Sequence, residues 1–376
     1  MFKKTSLALA VAGLAFAGQS IAAPSVNVSG FVDLGIEYYS GDTGSYIFPG
    51  MQAPQGNSDD QNIGMINPVT SRFTVSGDET HANGWTTGYH IEQNVNVLDD
   101  GGPSFQTRQG YISLSKDQHS IIIGSQWSPL FEYSAWNAMK TEGHGYGAYY
   151  FTTELLPGSL AYGFRNDSTI NYTFGGGGYD TSPFTFTVAA HIGEDDRVLL
   201  DANDDPILDA DGNSQKLNDS GITGVTLGGA ASFGQVTVNA AYVQSIVSDS
   251  DVSTDLAAPS LASIGAKFRA NDQLEVGFNY QSVDKDDAAG DKRTSMSVGG
   301  MYELASDLSI HAGYGFGEDD DGTELESDIY AQVIKSVSDT FHIRLELEQT
   351  SSITSDADGN EKGDDTVVAV FLRQSF

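Results

Sequence analysis

The sequence predicts an all-β fold, a transmembrane up-and-down antiparallel barrel of about sixteen strands with its third long loop folded into the lumen. Three observations carry this. Segment after segment alternates apolar and polar side chains with a period of two. Short turns alternate with long gaps rich in Asp and Gly. One long connection, 128–158, breaks that composition: its charged residues are Glu132, Lys140, Glu142 and Glu154, against Phe131, Tyr133, Trp136, Tyr146, Tyr149, Tyr150 and Phe151. Loops longer than about 15 residues are usually functional or disordered. An aromatic, charge-poor loop is better buried than solvated, so this one is expected inside whatever the strands enclose.

Taken in order, the chain opens with a predicted export signal over 1–22. Lys3 and Lys4 precede an apolar run over 7–16, then small residues, with the cut expected after Ala22. The apolar run is shorter than the roughly 20 residues of a membrane-spanning helix. The remainder, 23–376, is read as one barrel domain. Segment 26–39 alternates cleanly: Val28, Gly30, Val32, Leu34, Ile36 and Tyr38 share one face, with Asn27, Ser29, Asp33, Gly35 and Glu37 on the other. A gap rich in Gly, Asn and Asp follows to Asn67. Strands are then expected at 69–77, 85–97, 105–115 and 120–127 before the aromatic loop. Beyond it they are expected at 160–174, 184–192, 221–233, 235–246, 261–268, 274–282, 294–304, 308–316, 328–335, 341–349 and 367–376. Long gaps at 194–220, 247–259, 284–293, 317–327 and 350–365 fall on one side, and short turns with both termini on the other.

Composition excludes several classes. Losing Lys3 and Lys4 takes the formal charge from −33 to −35, whereas nucleic-acid binding needs basic surface. With no cysteine there is neither a disulfide nor thiol chemistry. A bilayer interior offers no hydrogen-bond partners, so a chain lacking long apolar helices spans it only as a closed barrel. The polar faces carry Arg72, Glu92, Arg108, Arg165, His342, Arg344, Glu346 and Glu348, which suit a wet interior. Aromatics near strand ends (Tyr38, Trp85, Phe174, Phe316, Phe341) suit interfacial girdles.

Six stretches in this order, VNVSGFVDLGIEY, SRFTVSG, TRQGYISLS, IIIGSQWSPL, FRNDSTINYTF and the terminal VVAVFLRQSF, resemble the general diffusion porins of Gram-negative outer membranes. The resemblance implies sixteen strands, a homotrimer in contact with outer-membrane lipid and lipopolysaccharide, and a third loop forming a constriction. It places Arg72, Arg108 and Arg165 as the basic wall of that constriction, with Glu132, Glu142 and Glu154 on the acidic side. A ring of opposed charges orders water and sets selectivity. The competing reading is that each arginine only pairs with a neighbouring carboxylate to hold the wall. Two features depart from the family pattern: Ser125 stands where many members carry Arg, and the Pro-Glu-Phe-like loop motif is absent.

No cofactor is expected. The acidic stretches 201–214, 319–326 and 355–365 read as solvated loops that bind Ca or Mg loosely, since none completes a twelve-residue calcium loop. No catalytic motif is present: there is neither Gly-x-Ser-x-Gly nor His-Glu-x-x-His. The expected function is passive diffusion of small hydrophilic solutes with modest cation preference from the acidic mouth. The alternatives are a substrate-specific pore, or a plugged barrel serving as adhesin or phage receptor.

Overall fold

The computed structural model describes residues 25–41, 62–66, 71–98, 105–134, 141, 147–153, 164–175, 183–198, 216–246, 259–284, 292–320, 322–355 and 361–376. The signal segment 1–22, Glu142, Glu154 and the acidic stretch 201–214 lie outside the described residues.

Among the described residues seventeen strands form one closed antiparallel sheet. They are β1 (Asn27–Gly41), β2 (Asn62–Ile66), β3 (Arg72–Thr80), β4 (Thr86–Val95), β5 (Phe105–Lys116), β6 (His119–Trp127), β7 (Arg165–Phe174), β8 (Phe184–Val198) and β9 (Lys216–Phe233). The rest are β10 (Val236–Ser245), β11 (Ser260–Arg269), β12 (Leu274–Asp284), β13 (Lys292–Ala305), β14 (Leu308–Asp319), β15 (Glu324–Ser338), β16 (Phe341–Ser355) and β17 (Glu361–Ser375). The barrel nevertheless has sixteen strand positions. β2 pairs with the upper half of β1 (Gly35 opposite Ile66) and β3 with the lower half (Phe31 opposite Arg72), so the two share one place in the wall. β17 closes the ring against the other edge of β1, Phe31 opposite Ser375. Each of the sixteen expected strands overlaps one observed strand. β2 was not expected, and the strand expected from 160 begins only at Arg165.

The period of two becomes an inside and an outside. On β1 the outward Val28, Val32 and Ile36 are exposed, while inward Asp33 and Glu37 are buried. On β16 Leu345 and Leu347 face out, with Arg344, Glu346 and Glu348 facing in. A soluble protein would bury the first set; a barrel in lipid exposes it. Among the described residues no helix is long and apolar enough to cross a membrane. Exposed aromatics mark the strand ends, with Phe184, Phe233, Phe268 and Tyr302 at the short-turn end and Phe105 at the other.

Two-residue reversals close the short-turn end: Lys116 pairs with His119, Phe233 with Val236, Ala305 with Leu308 and Ser338 with Phe341. Such turns join antiparallel strands with least chain. The start of β1 and the C-terminal Phe376 lie at this end, where Gly30 and Phe376 exchange reciprocal backbone hydrogen bonds of 3.2 and 3.0 Å. The gaps expected over 317–327 and 350–365 are shorter than anticipated, because β14 runs to Asp319 and β15 starts at Glu324, while β16 and β17 reach Ser355 and Glu361. Above the apolar belt a hairpin needs only backbone pairing, so these Asp-rich extensions carry no alternation to read.

Candidate functional site: the lumen and its inner loop

The connection between β6 and β7 turns inward at once. Ser128 N–H donates to the Phe164 carbonyl at 2.9 Å, tying the two roots of the loop together. Pro129, whose missing N–H costs nothing at a helix start, opens the one-turn helix α1 (Pro129–Glu132). Leu130 and Phe131 are buried. A second helix, α2 (Gly147–Thr153), carries buried Tyr149 and Phe151. The rings of Trp127, Phe131, Phe164 and Tyr149 form one cluster. Phe131 lies 5.3 Å from Trp127, 4.4 Å from Phe164 and 5.7 Å from Tyr149. Two of the aromatics that marked this loop in the sequence, Phe131 and Tyr149, therefore form a small core with Trp127 and Phe164 at its roots.

The loop is held against inward faces far around the ring. The Tyr133 hydroxyl bonds Thr187 on β8 at 2.9 Å, its carbonyl accepts from the Asn239 amide on β10, and its ring lies flush on Gly228 of β9. Further along, the Thr152 hydroxyl donates to Gln281 Oε1 on β12 at 2.7 Å. Gln281 Nε2 reaches back to Ser134 Oγ at 3.4 Å, so one wall residue joins α2 to the turn that follows α1. Thr141 bonds Gln332 on β15, and the Phe151 ring sits on Gly317 of β14 beneath Arg293, 4.9 Å from the centroid. Since β6 and β14 are eight positions apart in a ring of sixteen, the described parts of the loop span the inside of the barrel. A Cβ at Gly228 or Gly317 would overlap the ring it carries.

The expected basic residues gather on the wall beside the loop root, each with a different environment. Arg108 sits at a β-bulge: Glu92 pairs with Gln109 and Gln93 with Thr107, which leaves Arg108 as the extra residue. The bulge turns both Arg108 and Gln109 inward. Its guanidinium bonds Glu92 Oε1 at 2.7 Å and Asn94 Oδ1 at 3.1 Å, which is the wall-holding reading. Arg165 lies over the Trp127 ring at 5.3 Å. Arg72 stacks on Phe31 at 5.0 Å and makes no salt bridge among the described residues; its Nε is buried without a partner. Its charge feels Arg108, Arg165, Arg373 and Glu92, so these groups share one stretch of wall. Of the expected acids, Glu132 is exposed to the lumen at the end of α1.

A second cluster was only partly foreseen. Arg344, fully buried, bonds Glu346 and approaches Asp33 at 3.4 Å, with its guanidinium 4.8 Å from the Phe371 centroid. Arg373 donates to Asp33 Oδ2 at 2.7 Å and also lies against the Phe31 ring, 4.4 Å from its centroid. The sequence reading placed Arg344 and Asp33 inward but passed over Arg373. The signal was present, because Leu372, Val370 and Val368 face out and the alternate positions must face in. Among the described residues no group of three or more His, Asp or Glu is placed to hold a metal ion.

Comparison with known proteins agrees with this architecture. The chain superposes on an anion-selective porin from Comamonas acidovorans with a TM-score of 0.68, at 16% identity over 94% of this chain and 100% of that one. OmpT of Vibrio cholerae in its trimer form gives 0.62 at 15% identity, covering 94% and 99%. Salmonella typhi OmpF in complex with daunomycin gives 0.62 at 14%, covering 94% and 98%. Identities this low speak to fold alone. No curated protein matches the sequence. A family model described as Gram-negative porin matches residues 5–330. The chain belongs to the Gram-negative porin family.

Proposed function

We propose that this outer-membrane porin is a passive channel for small hydrophilic solutes and ions, narrowed by the β6–β7 loop. The observation that carries the reading is the pairing of a sixteen-position barrel, wider than its own side chains can fill, with a loop bonded to the opposite inner wall by Gln281 and Gln332. The inner faces carry charged and amide groups where a packed core would carry aliphatic ones. Nothing in this design needs a cofactor or a reacting group, and we assign no enzyme activity to it.

In this reading Arg72 acts on passing solutes, since it makes no salt bridge among the described residues, whereas Arg108 chiefly braces the wall through Glu92. Arg165 belongs to the basic side, and Glu132, with Glu142 and Glu154, to the acidic side. The formal charge of −33 concentrates cations at the mouth. The expected result is a cation-preferring reversal potential in a KCl gradient across a planar bilayer. Arg72→Gln should shift it further towards cations, and anion preference in the unaltered protein would overturn the selectivity assignment. A homotrimer with the exposed outer belt against lipid and neighbours, loose Ca or Mg bridging between outer loops and lipopolysaccharide, and removal of 1–22 on export complete the proposal.

A further inference from the structure

Between the loop and the wall of β5 to β8 lies a cavity of about 240 Å³, below the roughly 300 Å³ at which drug-sized sites begin. Its polar lining is amide, phenol and carboxylate: Gln109, Gln126, Asn171, Tyr111 and Glu132. Among the described residues that line it there is no lysine or arginine. Ile122 and the rings of Trp127 and Tyr133 give it apolar wall. Within this lining Gln126 is spent on Thr169 at 2.9 Å and the Tyr133 hydroxyl on Thr187. Asn171 is 5% exposed and lines the cavity, and its Oδ1 is buried with no hydrogen-bond partner among the described residues. A buried polar atom without a partner is uncommon and asks for an explanation; turning the side-chain amide over brings its oxygen to the cavity, where a hydroxyl can donate to it.

We infer that this cavity is a binding station for an uncharged polyhydroxylated solute of monosaccharide size. The chemistry selects that class. A hydroxyl both donates and accepts, so a ring of them can satisfy the Asn171 amide, the Tyr111 hydroxyl and the Glu132 carboxylate together. The C–H faces of such a molecule suit Ile122 and the ring edges of Trp127 and Tyr133. An anion meets no positive group in the lining. The site deepens the channel reading and rests on it, because a solute reaches the cavity through the lumen.

The test uses the full-length protein in planar bilayers, with glucose as the probe. The expected result is a glucose-dependent fall in single-channel current, with added current noise, beyond the fall that viscosity gives for a large excluded polymer. Asn171→Leu should weaken the apparent glucose affinity about three- to tenfold, and Ile122→Trp, which fills the cavity, should abolish the effect. Both should keep open-channel steps in salt; if Ile122→Trp does not assemble, Asn171→Leu decides alone. Glucose acting only through viscosity overturns the inference, as does an equal effect in Asn171→Leu. Block by ethanolammonium with none by glucose also overturns it and makes the cavity a cation site. In each of these outcomes the steps in salt leave the channel reading standing.

Discussion

Arg344→Ala is expected to lower the stability of the folded barrel by about 3–5 kcal/mol, the usual cost of removing one member of a buried ion pair. Arg344 is fully buried between Glu346 and Asp33, with the Phe371 ring beneath it. Its removal takes the guanidinium away from both Glu346 and Asp33, while Asp33 keeps its ion pair with Arg373. The network joins β1, β16 and β17, where the first and last strands meet and the ring closes. A weakened seam should open first on heating. The measurement is the temperature at which the folded band converts to the unfolded band on a gel. Arg344→Lys keeps the charge but loses the flat face over Phe371 and the fork towards Asp33, and should fall between. An Arg344→Ala protein as heat-stable as the parent would contradict the role given to this network.

The second large effect concerns the inner loop. Gly228→Leu and Gly317→Leu each place a side chain where a ring now lies, under Tyr133 and under Phe151. Overpacking of this kind costs about 1–3 kcal/mol, and the loop gives way more readily than the hydrogen-bonded wall. Gly317→Leu should lift α2 from β13 to β15, and Gly228→Leu should lift α1 from β8 to β10. The expected readout is a changed, less uniform single-channel conductance with the barrel still intact. Gln281→Leu, which cuts the bridge between Thr152 and Ser134, should act in the same direction more weakly. Conductance identical to the parent in all three would mean the loop does not set the narrow part of the path.

Most of the barrel was legible in the sequence because lipid outside and water inside impose opposite demands on successive residues, and that demand has a period of two. Segment 26–39 shows it with Val32 and Ile36 exposed and Asp33 and Glu37 buried, broken on the inward face by Phe31 and Tyr39, which serve there as a platform for arginines and as a buried ring. Where the demand lapses, legibility lapses too. The strand β2, Asn62–Ile66, is five residues long with Gly64 at its centre, and Pro68, which cannot donate to a ladder, follows it in the sequence. The start of β7 was misplaced because Phe164 belongs to the aromatic cluster of the loop, and apolar residues there follow packing.

The loop itself was legible from composition, since aromatic residues without charge have nowhere to go but inward. What it touches was not. Gln281, Gln332, Gly228 and Gly317 are unremarkable in one dimension, and only ring closure brings them to Thr152, Thr141, Tyr133 and Phe151. The arginines divide in the same way. Strand parity points Arg72 inward, but a bulge turns Arg108, and the choice between bracing a wall and facing a solute depends on a partner from another strand, Glu92.

Single-channel recording in planar bilayers tests the central claim most directly. Folded protein, added at low concentration to a salt-bathed bilayer, should give stepwise increases in current that stay open, often in groups of three. Folded protein, verified by its heat-modifiable band, that inserts and gives no steps would describe a plugged barrel, and the channel account would be wrong.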